Sequence, residues 1–169
     1  MKGGNHLSNY NFRDYSVNYP NKYNNRLPEN KQYAFITQIK DYGKQPIVFN
    51  MEAITKKNNN YRSTLWTGSH IQLTLMSIRV GGDIGLEVHP DVDQFIRIEE
   101  GTGTVLMGPS MNNMNIEEKL NPDFALIVPS GTWHNVINTG NIPLKLYSIY
   151  GPPNHPHGTV QKTKEEAME

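Results

Sequence analysis

The chain has 169 residues, with 16 Lys and Arg against 16 Asp and Glu, and it contains no cysteine. This length is typical of one domain, and a formal net charge of zero removes the usual electrostatic reason to expect a nucleic-acid partner. The lack of cysteine excludes disulfides, zinc fingers and cysteine nucleophiles, so any metal must be bound by His, carboxylate, amide or carbonyl groups.

The hydropathy pattern gives no sign of a membrane protein. No apolar run approaches the roughly 20 residues that cross a bilayer, and the first 15 residues lack the apolar stretch of a secretory signal. We therefore expect a soluble, cytoplasmic protein without a membrane or nucleic-acid partner.

The composition changes sharply along the chain. Residues 1–32 contain eight Asn and several Tyr but almost no aliphatic side chains, and such a stretch buries too little apolar surface to offset the entropy of ordering it. We predict an Asn/Tyr-rich N-terminal arm over residues 1–44, which is either disordered or docked on a partner. A β domain over residues 45–158 and a charged C-terminal tail over residues 159–169 follow it.

Short β-type runs, each closed by a cluster of turn residues, fill the middle of the chain. This pattern is typical of an all-β sandwich or barrel, and no long helical period competes with it. The predicted strands are 46–52, 70–80, 84–89, 94–100, 103–107, 124–129, 133–138 and 144–150.

Four polar side chains are candidates for one metal site. Glu87 and His89 are two residues apart on a predicted strand, so both leave the same face. A Pro-Asp turn then reverses the chain and brings Gln94 opposite them, while His134 follows the turn at residues 129–133. One carboxylate, two imidazoles and an amide oxygen suit a borderline or hard divalent metal.

The same residues carry a family resemblance. The chain resembles the cupins, whose two motifs are G-x5-H-x-H-x3-4-E-x6-G and G-x5-P-x-G-x2-H-x3-N. Both motifs occur in order with every spacing intact over about residues 45–158, and seven of the ten marked positions have the expected residue type. The marked positions are Gly81, Glu87, His89, Gln94 and Gly101 in the first motif, and Asp123, Pro129, Gly131, His134 and Asn138 in the second. The resemblance implies an all-β cupin fold, a double-stranded β-helix or jelly-roll barrel, with a small-molecule ligand inside it.

Two departures from the motif fall on ligand positions. Glu87 stands where the family has its first His, and Gln94 stands where it has Glu. The two changes leave the charge of the ligand set the same, so we expect a retained metal site formed by Glu87, His89, Gln94 and His134. The alternative is a vestigial site in which these residues form only a hydrogen-bonded polar cluster.

A second, shorter likeness concerns the metal. Residues 86–91, Leu-Glu-Val-His-Pro-Asp, are similar to the Gln-x-His-Pro segment of type I phosphomannose isomerases. Those cupin-fold zinc enzymes use one Gln, one Glu and two His as ligands, so the likeness implies zinc first, with iron, manganese or nickel behind it. It covers only six residues, and this chain is too short for the further domains of that family.

Several charged residues outside the motifs are predicted to lie at the surface. We predict solvated roles for Arg62, Arg79 and Glu99, although either arginine could neutralise an anionic substrate. His155 and His157 lie in a Pro-rich segment, which we expect at the surface or packed across the barrel mouth, without a second metal.

Two classes of function remain open from sequence. The first is a mononuclear metalloenzyme acting on a small polar molecule, most specifically a sugar or sugar-phosphate isomerase of the mannose-6-phosphate type, with a metal-dependent dioxygenase as the alternative. No catalytic base can be assigned, although Glu87 could leave the metal to act as one. The second is a non-catalytic binding or assembly protein that uses the arm. Either protein would be expected to form a homodimer, which covers exposed sheet edges.

Overall fold

The structure is a computed structural model and describes residues 38–168, so residues 1–37 of the predicted arm lie outside it. One helix and nine strands are present in this part of the chain. In chain order they are α1 (Met51–Lys57), β1 (Arg62–Thr67), β2 (Gln72–Ile78), β3 (Asp93–Glu100), β4 (Gly103–Gly108), β5 (Ile116–Leu120), β6 (Ala125–Val128), β7 (Trp133–Ile137), β8 (Leu144–Gly151), β9 (Val160–Gln161) and a 3₁₀ turn (Glu165–Ala167).

The strands form two antiparallel sheets. The larger has six strands in the order β6-β3-β8-β2-β1-β9, and the smaller has three in the order β5-β4-β7. Isolated bridges from Asp83 to Ile137 and from Glu87 to His134 add the segment before β3 to the free edge of β7. The all-β prediction is therefore confirmed.

The main core lies where side chains of both sheets meet. Ile96, Ile98 and Leu146 of the larger sheet belong to one buried cluster with Val105 and Val136 of the smaller sheet. Because side chains alternate along a strand, β3 turns Gln94, Ile96 and Ile98 inward together. The predicted ligand-bearing face is thus the apolar inner face of the sheet.

A helix covers the other face of the larger sheet. The predicted strand over residues 46–52 is wrong, because α1 begins at Met51 instead. Asn50 is its N-cap, and the Asn50 Oδ1 accepts a hydrogen bond from the Ala53 amide at 2.9 Å. Asn is a favoured N-cap residue, since its side chain satisfies an amide that the first turn leaves free. Ile54 of α1 then packs in a second cluster with Leu65 and Tyr147.

The predicted strands differ from the structure in four further places. Strands β1, β5 and β9 were not predicted, because β1 and β5 carry charged residues within the strand and β9 has only two residues. Residues 84–89, predicted as a strand, form only isolated bridges. β9 pairs with β1, with Gln161 opposite Arg62, so the chain beyond residue 158 contributes to the larger sheet. Within residues 38–168, we find no helix with the length and apolar character needed to cross a membrane.

Candidate metal site

Backbone pairing brings the two motif segments together. Glu87 and His134 exchange reciprocal main-chain hydrogen bonds of 3.0 and 2.9 Å, and the Gly131 amide donates to the His89 carbonyl at 2.8 Å. Gly131 has a φ of 77°, in the left-handed region that glycine adopts without strain. This turn lets β7 start directly opposite the strand-like segment that carries Glu87 and His89.

The four predicted ligands meet at one point on the inner face. Glu87 Oε1 lies 3.3 Å from His89 Nε2 and 3.3 Å from His134 Nε2, while Gln94 Oε1 lies 3.0 Å from His134 Nε2. The ligating atoms of Glu87, His89 and His134 all lie within 4.8 Å of one another. Two ligands about 2.1 Å from one ion would be separated by about 3.0 to 3.4 Å, for angles between 90° and tetrahedral. The distances of 3.3 Å from Glu87 to each imidazole and of 3.0 Å from Gln94 to His134 fit that range.

Neighbouring groups orient two of these side chains toward the centre. His134 Nδ1 lies 3.1 Å from the Thr132 carbonyl oxygen, and the tautomer with its proton on Nδ1 would leave the Nε2 lone pair for an ion. Gln94 Nε2 donates to Ser148 Oγ at 3.3 Å, which turns the amide oxygen toward His134. His89 Nε2 is buried and lacks a partner with hydrogen-bond geometry. The centre is therefore surrounded by electron-pair donors, an arrangement that a cation would satisfy.

The carboxylate of this group is ionised. Burial alone would raise the pKa of Glu87, but its interactions with the nearby imidazoles of His134 and His89 outweigh burial and lower the pKa to about 2. His134 is fully buried and Gln94 is 2% exposed. The donor set thus carries one negative charge in a largely enclosed setting, which suits a divalent ion.

Two aromatic neighbours of the site were not predicted from sequence. The Tyr150 ring lies 5.9 Å from the His89 ring, and the His155 ring packs edge-on against Tyr150 at 5.1 Å. Burial raises the pKa of Tyr150 to about 12, while burial and the positive charge of Arg62 lower the pKa of His155 to about 4.

One side chain fixes the position of the His155 segment. Gln72 Oε1 accepts from the His155 amide at 2.8 Å, and Gln72 Nε2 donates to the His155 carbonyl at 2.7 Å. His155 is therefore partly buried against Tyr150, whereas His157 is exposed near Asp41. Strand alternation could have indicated that Gln72 and Tyr150 face inward. The sequence gave no reason to place the coil around residue 155 against these two side chains.

Two charged residues predicted to be solvated are buried. Arg62 is 6% exposed because its strand, β1, lies between β2 and β9. Glu99 is also 6% exposed, and burial raises the pKa of its carboxyl group. The surface prediction was wrong for both, while Arg79 is exposed and lies 3.8 Å from Glu165.

Comparison with known proteins agrees with the resemblance to the cupins. Residues 74–150 match the family model described as the cupin domain. The chain is 60% identical over 130 residues to the uncharacterized protein YrkC of Bacillus subtilis, which covers 77% of this chain and 70% of YrkC. The crystal structure of BH2720 from Bacillus halodurans has a TM-score of 0.76 and 58% identity, covering 77% of this chain and 98% of that one.

A more distant structure supports the fold alone. It is an uncharacterized conserved protein with a double-stranded β-helix domain from Klebsiella pneumoniae, with a TM-score of 0.50 and 20% identity. The match covers 60% of this chain and 79% of that one. The predicted double-stranded β-helix is confirmed by this fold likeness together with the family match.

Proposed function

This chain belongs to the cupin superfamily, and from that premise we propose that it is a mononuclear metal-dependent enzyme acting on a small polar molecule. Its metal ligands are Glu87, His89, Gln94 and His134. The function of the whole chain then depends on chemistry at the inner face of the larger sheet, next to the segment that carries His155.

One observation supports this proposal above the others: Glu87 Oε1, Gln94 Oε1 and the Nε2 atoms of the two histidines converge, and each of them can donate an electron pair to an ion. Thr132 orients the His134 ring and Ser148 orients the Gln94 amide, so that both present acceptor atoms to the centre. A vestigial polar cluster would be expected to pair donors with acceptors, because unpaired buried polar groups are costly. The unpartnered Nε2 of His89 does not fit such a cluster.

The chemistry follows from the donor set. A divalent ion held by these residues supplies a Lewis acid that polarises a substrate carbonyl or hydroxyl. Glu87 keeps its negative charge near the centre, since its pKa of about 2 is far below neutral pH. The mixed nitrogen and oxygen ligands favour zinc as the first candidate, with iron, manganese or nickel as alternatives.

Proton transfer needs a group beyond the four ligands, and His155 is the candidate. Its Nε2 is buried without a hydrogen-bond partner, and the ring is neutral at pH 7 because its pKa is lowered to about 4. Such an imidazole can accept a proton. Tyr150, with its pKa raised to about 12, stays protonated beside it and can donate a hydrogen bond to a substrate oxygen.

The most specific reaction we propose is the isomerisation of a sugar or sugar phosphate. This reaction moves a proton between adjacent carbons beside a carbonyl, which a Lewis acid and one neutral base can perform without a redox step. A dioxygenase would require iron or another redox metal in place of zinc. The homodimer and the cytoplasmic location belong to the same proposal.

Metal content is the first test. We would purify the full chain without a histidine tag and compare it with the His89→Ala/His134→Ala double variant by inductively coupled plasma mass spectrometry. The expected result is about one zinc, iron or manganese per chain in the wild type and none in the double variant. His70→Ala, which removes an exposed histidine, is the control and should keep its metal.

Activity is the second test. We would incubate the metal-loaded protein with mannose 6-phosphate in deuterated water and follow deuterium incorporation by NMR. His155→Phe should lose exchange while keeping its metal, whereas loss of both would make His155 structural. The absence of metal after incubation with each candidate ion would refute the metalloenzyme proposal.

A further inference from the structure

A cavity of about 310 Å³ opens beside the candidate metal site. Glu87 forms part of its wall, together with Tyr61, Arg62 and Lys164, and Ala167 stands at the C-terminal side. Its volume is at the lower end of the range for small-molecule sites. The cavity is therefore a candidate substrate chamber with a metal ligand in its wall.

Arg62 is the unusual residue of this cavity. Arg62 is only 6% exposed, and its Nε is buried with no hydrogen-bond partner. Nη1 donates to Gln161 Oε1 at 3.0 Å, and the guanidinium lies 5.4 Å from the centre of the Tyr61 ring. These contacts hold the group in place but leave part of its fork of donors unused.

The charge of Arg62 is also uncompensated. Among the described residues, no carboxylate lies within ion-pair distance of it, and Gln161 is a neutral partner. The other cation of the cavity, Lys164, is already paired with Asp83. Burying an unpaired charge is strongly unfavourable, so an anion in the cavity would remove a cost that the fold otherwise carries.

Arg62 and the metal site share one set of neighbours. The charges of both Arg62 and Glu87 act on Tyr61, Tyr150 and His155, in opposite directions in each case. A divalent ion on the ligand set would neutralise Glu87 and leave the chamber positive overall. The chamber therefore favours an anionic ligand over a neutral one.

We propose that Arg62 binds the carboxylate or phosphate group of the substrate, whose other end reaches the metal bound by Glu87. This inference rests on the proposed function and names its substrate class, a small oxyanion-bearing molecule. Arg is suited to this task because its planar fork donates two parallel hydrogen bonds to one carboxylate or phosphate. Gln161 acts as a positioning residue that fixes one end of the fork.

The test measures anion binding to the full chain by isothermal titration calorimetry, with and without bound metal. The probes are malonate for a carboxylate ligand, inorganic phosphate for a phosphate ligand, and malonamide as a neutral analogue. We expect malonate or phosphate to bind and malonamide not to bind. Arg62→Gln should weaken anion binding at least tenfold, as expected for a charge-assisted hydrogen-bond pair, and Arg62→Lys should weaken it less.

Arg79→Gln is the matched control, because Arg79 is exposed and outside this cavity. It should change the dissociation constant less than twofold. Equal anion affinity in the wild type and Arg62→Gln, or no binding of either anion at millimolar concentration, would overturn the inference. If Arg62→Gln fails to fold, the Arg62 Nε–H resonance of the wild type decides: a shift on malonate or phosphate titration supports the inference, and an unmoved resonance refutes it.

Metal content measured on the same samples separates the two proposals. Anion binding that depends on Arg62 in a protein that takes up no metal would refute the proposed metalloenzyme and keep the anion site. One metal per chain with anion binding independent of Arg62 would keep the proposed metalloenzyme and refute the anion site.

Discussion

Glu87 and His134 are paired twice, once through their backbones and once through their side chains. The backbones exchange hydrogen bonds of 3.0 and 2.9 Å, and Glu87 Oε1 lies 3.3 Å from His134 Nε2. Because the backbone pairing fixes both Cα positions, the two side chains meet without a long loop to order. The backbones of these two proposed ligands are thus fixed before any ion binds, which limits the entropy that binding must offset.

Ser148 is expected to control metal affinity without touching the metal. Its hydroxyl accepts from Gln94 Nε2 at 3.3 Å and so turns the amide oxygen toward the centre. Ser148→Ala should therefore weaken zinc binding about tenfold, the usual size of such orienting effects. Competition with a chromogenic chelator measures this affinity.

A second buried serine provides the control for Ser148→Ala. Ser63 is also fully buried, and its hydroxyl donates to Asn58 Oδ1 at 3.2 Å, away from the site. Ser63→Ala should lower the free energy of unfolding by about 1 kcal/mol and leave zinc affinity unchanged. Equal zinc affinity in wild type and Ser148→Ala would mean that Gln94 is not a ligand.

Gln94→Glu restores the residue that the family motif has at this position. The change puts a second buried carboxylate near Glu87, and like charges in a buried site repel. At pH 8 the metal-free variant should lose about 1–3 kcal/mol of unfolding free energy, whereas zinc binding should tighten about tenfold or more. Chemical denaturation with and without zinc measures both effects.

The double variant Glu87→Gln/Gln94→Glu tests whether charge is the cause. It exchanges the carboxylate and the amide and keeps the total charge of the site. The metal-free double variant should regain most of the lost stability. If it stays as unstable as the single variant, packing rather than repulsion explains the loss.

The motif spacing predicted which side chains meet, because each motif lies in one local unit. Strand alternation puts Glu87 and His89 on one face, and the turn ending at Gly131 returns His134 to them. These relations extend over a few residues, so sequence carries them directly. Gln94 follows by the same argument, since one short turn separates it from His89.

Contacts between distant segments could not be predicted from the same patterns. Arg62 looks like a surface residue in isolation, and it is buried only because β9, almost 100 positions further along the chain, pairs with its strand. The position of His155 likewise depends on the Gln72 amide. Arg62 lines the cavity that Glu87 borders, so this wall of the cavity could not be predicted from the motifs.

Asp123 is the one departure from the second motif, and substitutions at this position test its effect on stability. It stands at a position where the motif has glycine, and its φ is 72°, a conformation that side-chain-bearing residues adopt at a cost. Asp tolerates it better than most, and its carboxylate accepts from Arg97 Nη2 at 2.6 Å. Asp123→Gly should change the unfolding free energy by less than about 0.5 kcal/mol, since strain relief offsets the lost exposed ion pair.

Asp123→Ala should instead lower the unfolding free energy by about 1–2 kcal/mol, because alanine keeps the strain and loses the ion pair. Arg97→Gln, which removes this ion pair together with the 3.6 Å contact to Glu99, should cost about 1 kcal/mol. Urea denaturation of the three variants measures these differences. Equal stability of the glycine and alanine variants would show that the backbone at this turn relaxes freely.

His155 gives the protein a specific dependence of stability on pH. Its pKa is lowered to about 4 by burial and by the positive charge of Arg62, against about 6.5 in an unfolded chain. Between these values the unfolded state binds a proton that the folded state does not, so stability falls as pH drops from 6.5 and levels off below 4. The loss attributable to His155 is up to about 3 kcal/mol.

His155→Phe keeps an aromatic ring against Tyr150 and removes the titrating group. In metal-free protein, its unfolding free energy should fall less than that of the wild type between pH 6.5 and 4, measured by urea denaturation at each pH. His157→Gln, which removes an exposed histidine of the same segment, controls for the loss of any histidine. Parallel curves for wild type and His155→Phe would show that His155 takes up its proton in the folded state as readily as in the unfolded chain. Such a result would contradict the lowered pKa of His155.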